Sequence, residues 1–155
     1  MAAATTKHPQ FNRLPPNPSG NYSSMLFREF ASQEFGESGD ILEVCPLSRG
    51  MVIGAGCFVQ LAALDSGSAH VFSMEIVDSA DTVKATVIHE DTSGQAGGLA
   101  RPTAAPGTED GVGYVVPDDG YKLRLICDTA STGEQAGDIL VGVEIGGARD
   151  NQLTE

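Results

Sequence analysis

Two segments near the carboxyl end of the chain alternate apolar and polar residues, and this alternation constrains the fold more than any other feature. Residues 121–128 and 138–145 each place an apolar side chain at every second position, which is the period of a β-strand with one buried face. The polar connection from Thr129 to Gly137 predicts a hairpin that joins the two strands. Because this hairpin has only one apolar face, it needs a second sheet to cover that face. The residues predicted to point inward are Tyr121, Leu123, Leu125, Cys127, Ile139, Val141, Val143 and Ile145.

Short strands are also predicted between Asp40 and His89, where apolar runs are separated by turns rich in Gly, Ser and Asp. Gly54 and Gly56 lie inside one of these runs and predict a bend that divides it. About six to eight strands at this spacing are typical of an all-β fold, so we predict a β-sandwich or jelly roll over residues 37–147.

Three other regions lack this alternation. Residues 90–113 are rich in Gly, Ala, Thr and Pro and predict a long loop, and residues 148–155 predict a polar tail. The first 36 residues predict an extended arm, because half of the eight prolines lie within residues 1–22. Residues 23–36 fit either a short helix with serine caps or a strand.

The arm also differs from the body in charge. Residues 1–28 contain three basic residues and no acid, whereas the remaining residues contain six basic and 21 acidic residues. A basic arm that carries apolar side chains on a body of charge −15 predicts a segment that docks on a partner; a disordered terminus is the alternative. The predicted partner-binding residues are Lys7, Phe11, Arg13, Leu14, Tyr22, Phe27 and Arg28.

Composition excludes several classes of partner. A net charge of −12 repels phosphate backbones, so we expect no nucleic acid. No segment is apolar over the length of a membrane span, and no apolar leader precedes Pro9, so we expect no membrane and synthesis in the cytoplasm. Cys45, Cys57 and Cys127 are far apart and odd in number, which predicts buried free thiols.

Residue patterns of catalytic or metal sites are missing from the sequence. His8, His70 and His89 are widely separated, and none has a second histidine at metal-ligand spacing. The run His89-Glu90-Asp91 is the nearest to an acid/base cluster, but a solvated strand terminus explains it much better. We therefore expect no catalytic residue, no metal and no cofactor.

Two stretches of the chain resemble small head proteins of tailed phages. In residues 39–53, Gly-Asp and an apolar strand precede a turn and a second apolar strand, although Ser48 stands where proline is common in that pattern. The ending is also similar, with an Asp-Gly turn at Gly120, a Tyr-x-Leu-x-Leu strand, and Gly-Asp-Ile-Leu-Val-Gly-Val-Glu-Ile at residues 137–145.

The resemblance implies a capsid decoration, or cement, protein. A protein of this kind is expected to be a β-sandwich and a homotrimer, to bind the major capsid protein on the outside of an assembled head, and to be part of the virion. A phage fibre or another virion component, or a small jelly-roll carbohydrate-binding module, remains as an alternative.

Overall fold

The chain folds as a sandwich of two β-sheets. A computed structural model describes residues 3–9, 11 and 24–147, and in them it contains strands and no helix. The eleven strands of this part of the chain are β1 (Thr5–Lys7), β2 (Ser24–Gln33), β3 (Ile41–Leu47), β4 (Val52–Ile53), β5 (Phe58–Leu61), β6 (Val71–Val77), β7 (Val83–Asp91), β8 (Gly98–Ala100), β9 (Glu109–Asp110), β10 (Tyr121–Thr129) and β11 (Gly137–Gly146).

The first sheet has the strand order β1-β3-β10-β6-β7-β9, and the second has β2-β11-β5-β8, with β4 also paired to β11. The predicted all-β sandwich is therefore confirmed. Six of the described strands have seven or more residues, and the other five have two to four. The number exceeds the predicted six to eight because strands of two to four residues are too short to show an alternation.

The predicted hairpin of β10 and β11 is wrong, although the predicted faces are right. β10 lies between β3 and β6 in the first sheet, and β11 lies between β2 and β5 in the second. The residues predicted to point inward are buried, apart from Tyr121, which is half-buried and packs against the core. The two strands thus face each other across the interior. The polar segment between them crosses from one sheet to the other, a distance of about 10 Å.

The short helix considered for residues 23–36 is wrong, because Ser24–Gln33 forms the ten-residue strand β2. It pairs antiparallel with β11, with Phe27 opposite Gly142. Leu26 and Phe30 are buried while Phe27 between them is exposed, which is period two. Their spacing of four residues satisfies a helix and a strand alike, so it could not decide between them. From Ser24 onward, the predicted arm is part of the sandwich.

Glycine positions explain how two other regions fold. The bend predicted at Gly54 and Gly56 is confirmed, since it separates β4 from β5, and both of these strands pair with β11. The region 90–113 is not the continuous loop that was predicted: β8 pairs with β5, and β9 runs parallel to β7. Gly97 has a positive φ of 80°, which lets the chain turn sharply into β8.

The interior between the sheets is apolar and contains the three thiols. Cys45, Cys57 and Cys127 are all free and buried, as predicted. Burial raises the pKa of Cys45 and of Cys127 to about 12 and that of Cys57 to about 11. Since the thiolate is the reactive form, these cysteines act as packing residues.

The centre of β11 provides a test of the inward face. Val141 is fully buried, whereas its neighbour Leu140 points to the other side of the same strand and is half-buried. Val141→Asp places an unpaired carboxylate in the core, so we expect it to lower the free energy of unfolding by about 3 kcal/mol or more. Leu140→Asp should lower it much less. Urea denaturation of both variants measures the difference, and equal losses would mean that the faces of β11 are assigned wrongly.

Candidate interaction surface

The outer face of the second sheet is unusually apolar. Cross-strand pairing aligns the side chains of β2, β11, β5 and β8 there in rows. Of the four large apolar residues that are exposed in the described structure, three lie on these strands, with exposed fractions of 39%, 55% and 48% for Met25, Phe27 and Leu99. We call this surface the apolar face; its apolar residues are Met25, Phe27, Phe58, Leu99 and Leu140.

Two aromatic rings meet at the centre of the apolar face. Phe27 on β2 and Phe58 on β5 have ring centroids 6.2 Å apart, and Gly142 of β11 lies between their strands. A Cβ atom at Gly142 would lie 2.2 Å from Cε1 of Phe58, so only glycine lets this ring lie against the backbone. The guanidinium of Arg101 lies 5.7 Å from the centroid of Phe58 and forms a cation–π contact with it.

Charged side chains border the apolar face at two opposite edges. Glu29 of β2 and Asp138 of β11 line an open depression of about 400 Å³ together with Leu140. Arg101 follows β8 at the other edge. In the described part of the chain neither Glu29 nor Arg101 forms an ion pair. A third carboxylate, that of Glu144, accepts a hydrogen bond of 2.6 Å from the backbone N–H of Gly56.

The outer face of the first sheet has the opposite character. Lys122 on β10 contacts Glu43 of β3 at 2.5 Å and Asp81 at 2.7 Å. Next to it, Arg124 holds Glu75 of β6 at 3.0 Å. These ion pairs satisfy the charges of this face within the chain, so the face offers little unpaired charge or apolar surface to a partner.

The strand end at His89 is the part of the sequence most similar to an acid/base cluster. In the structure its side chains form hydrogen bonds with one another and with the backbone. Ser73 Oγ donates to a carboxylate oxygen of Asp128 at 2.5 Å and accepts from the N–H of Glu90 at 3.0 Å. Burial raises the pKa of Asp128. Nε2 of His89 lies 3.7 Å from the carboxylate of Glu90. Because its proton is directed at Asp128, the Ser73 hydroxyl lacks the histidine contact of an activated nucleophile.

Groups of His, Cys, Asp and Glu that could hold a metal ion do not occur among the described residues. Nor do residues 3–9, 11 and 24–147 contain a helix long and apolar enough to cross a membrane.

The loop that crosses between the sheets is fixed by one carboxylate. Asp65, which is only 2% exposed, accepts four backbone hydrogen bonds of 2.8 to 3.0 Å from Gly67, Ala69, His70 and Gly133. Gly133 belongs to the crossing segment, so this carboxylate ties it to the turn before β6. Burial raises the pKa of Asp65, but the four donors outweigh burial and hold the pKa well below its ordinary value.

His70 lies beside this carboxylate in the same turn. It is fully buried, and its Nε2 lies 2.8 Å from the carbonyl oxygen of Phe35. The carbonyl can only accept, so Nε2 carries a proton. Burial lowers the pKa of His70 more than this hydrogen bond raises it. The histidine is therefore a structural member of the turn.

The predicted partner-binding residues have different positions in the structure. Lys7 and Phe11 contact each other, with Nζ of Lys7 4.1 Å from the ring centroid, and Phe11 is buried. Phe27 is exposed at the centre of the apolar face, whereas Arg28 is buried beneath it with 3% exposure. Thus only Phe27 of these four presents an exposed apolar side chain. Arg13, Leu14 and Tyr22 lie outside the described residues.

The start of the chain belongs to the sandwich as well. β1 pairs parallel with β3 at the edge of the first sheet. Nε2 of His8, just after β1, lies 2.9 Å from the carbonyl oxygen of Glu29, and its ring packs edge-on against Phe30 at 5.0 Å. His8 thereby connects the edge strands of the two sheets. The sequence does not indicate this connection. A three-residue strand is too short to show an alternation, and the four prolines that follow it predict an extended arm.

Comparison with known proteins finds the fold in phage capsids. The sequence matches no protein-family model and no curated protein. A chain in the capsid of Ralstonia phage GP4 is similar over 94% of this chain and 99% of its own length, with a TM-score of 0.69 and 19% identity. A chain in the capsid asymmetric unit of cyanophage Pam1 is similar over 88% of this chain and 92% of its own length, with a TM-score of 0.61 and 15% identity. Similarity at this level of identity shows a shared fold.

Titration of Asp65 gives a test of the crossing loop. Its pKa is lower in the folded than in the unfolded protein, so its stabilising contribution is present above the unfolded value of about 3.9 and is lost as the pH falls below it. We expect Asp65→Asn to lower the melting temperature at pH 7, and the gap to wild type to narrow between about pH 5 and pH 2. Asp118→Asn removes an exposed charge and is the control. Equal melting temperatures of wild type and Asp65→Asn at pH 7 would contradict the assignment.

Proposed function

We propose that the protein is a structural component of a phage virion, a decoration protein that binds the outside of the assembled head and stabilises it. The observation that carries this proposal is the whole-chain similarity to capsid chains. The matched chain of the Ralstonia phage GP4 capsid is covered over 99% of its length by 94% of this chain. The two chains are therefore of nearly equal size, which indicates that the GP4 capsid uses this fold as a separate small polypeptide.

Surface chemistry supports a protein partner and a non-enzymatic role. The apolar face places exposed or half-buried apolar side chains on all four strands, and exposed apolar patches on soluble proteins mark interaction sites. The net charge of −12 opposes contact with a packaged genome and favours the outside of the shell. In the described residues, Ser73 and its neighbours are arranged for hydrogen bonding and not for catalysis.

The partner in this proposal is the major capsid protein, and the protein acts as a homotrimer. The segment between Phe11 and Ser24 supplies the tether. It contains Arg13, Leu14 and Tyr22, and its prolines reduce the entropy lost on docking. Burial of two large apolar side chains contributes about 1.5 to 3 kcal/mol each, which suffices for a specific contact when several arms bind one shell.

The tether is tested by substitution, because deletion of the first 22 residues would also remove β1 from the sandwich. Shells assembled from the major capsid protein of the same virus are mixed with full-length protein and sedimented. We expect the combined variant Arg13→Ala, Leu14→Ala, Tyr22→Ala to bind at least about tenfold more weakly, with an unchanged melting temperature. Raised salt should weaken only the contribution of Arg13.

Val115→Ala is the matched control, since Val115 is an exposed apolar residue that is not part of the tether. It should bind shells like wild type. Undiminished binding of the combined variant would refute the tether, and absence of binding by wild type would refute the decoration role.

A further inference from the structure

The apolar face has opposite charges at its opposite edges, and the described part of the chain does not pair them. Glu29 lies on the edge strand β2, Asp138 lies on the adjacent strand β11, where its carboxylate accepts from the N–H of Ser32, and Arg101 follows the opposite edge strand β8. Three strand spacings, about 14 Å, separate β2 from β8. Glu29 and Arg101 are therefore too far apart for an ion pair within one molecule, and the described residues provide no other ion-pair partner for either.

We propose that the apolar face is the interface between copies of this chain, with the Glu29 edge of one copy against the Arg101 edge of the next. Every copy carries both edges, so a head-to-tail arrangement would satisfy both charges and can close into a ring. The Phe27–Phe58 pair and Leu99 are then buried between copies, shielded from water. This inference deepens the homotrimer of the proposed function by naming its surface.

The exposed edge of β2 favours contact through this face over strand addition. Nη1 of Arg28 donates to the carbonyl oxygen of Phe27 at 3.1 Å, and Nε2 of His8 donates to that of Glu29 at 2.9 Å. These two carbonyls would be needed to pair β2 with a strand of another copy. Because side chains of the same chain occupy them, association through backbone pairing is disfavoured here.

The shape of the surface fits a second copy better than a small ligand. Gly142 lets the Phe58 ring lie against the backbone of β11, so no side chain rises between Phe27 and Phe58. The depression beside Leu140 is open and has carboxylates on its border. A guanidinium from a neighbouring copy supplies the charge that this border lacks.

Reversal of the two edge charges tests the proposal with full-length protein in the absence of shells. Sedimentation equilibrium should show that wild type self-associates, and that Glu29→Arg and Arg101→Glu each weaken association at least about tenfold. The combined variant Glu29→Arg, Arg101→Glu restores opposite charges and should recover to within about threefold of wild type. Phe27→Ser should leave a folded monomer, whereas Val115→Ser, an apolar-to-polar change elsewhere, should associate normally.

Two results would overturn the inference. The first is a wild-type protein that stays monomeric at about 100 μM, where weak contacts are detectable. The second is association of Glu29→Arg and of Arg101→Glu that equals that of wild type. Circular dichroism of each variant confirms that it is folded.

Shell sedimentation separates this inference from the proposed function. Wild type that self-associates without binding shells refutes only the decoration role. A monomer that binds shells refutes the interface and the homotrimer but leaves the decoration role standing.

Discussion

Two apolar surfaces depend on a single strand, β11, and the rest of the structure is arranged around that constraint. Its inner side chains, Val141 among them, fill the space between the sheets, while β2, β4 and β5 all pair with its backbone. Its outer side contributes Leu140 and the bare backbone of Gly142 to the apolar face. A β11 with a polar residue in place of Leu140 would build the same sandwich with a less apolar outer face.

The alternation in the sequence determined which side of each strand is buried, but not which strands are neighbours. Period two is a local property, and it identified the inward residues of β10 and β11 correctly. Pairing depends on which backbones meet across the sheet, and the connection of β10 and β11 is compatible with a hairpin or with a crossing between sheets. The carboxylate of Asp65 favours the crossing, because it binds the connecting loop from another turn 68 residues away in sequence.

The candidate surface was predictable only in part for the same reason. Phe27 was recognised because the first 36 residues are rich in phenylalanine. Phe58, Leu99 and Leu140 were not, since each is one apolar residue at an ordinary position, and only the register of four strands brings them together. At the start of the chain the sequence predicts too little structure. Its prolines indicate an arm, but β1 pairs with β3, and Lys7 and Phe11 lie on the body.

The three buried thiols have a consequence for where the protein can work. With pKa values of about 11 to 12, their reactive fraction near neutral pH is very small. A chain that is synthesised under reducing conditions and later exposed to dissolved oxygen would thus keep the same covalent structure in both surroundings. Neither a disulfide-forming catalyst nor a protective reductant is then required, which would suit the virion component proposed above.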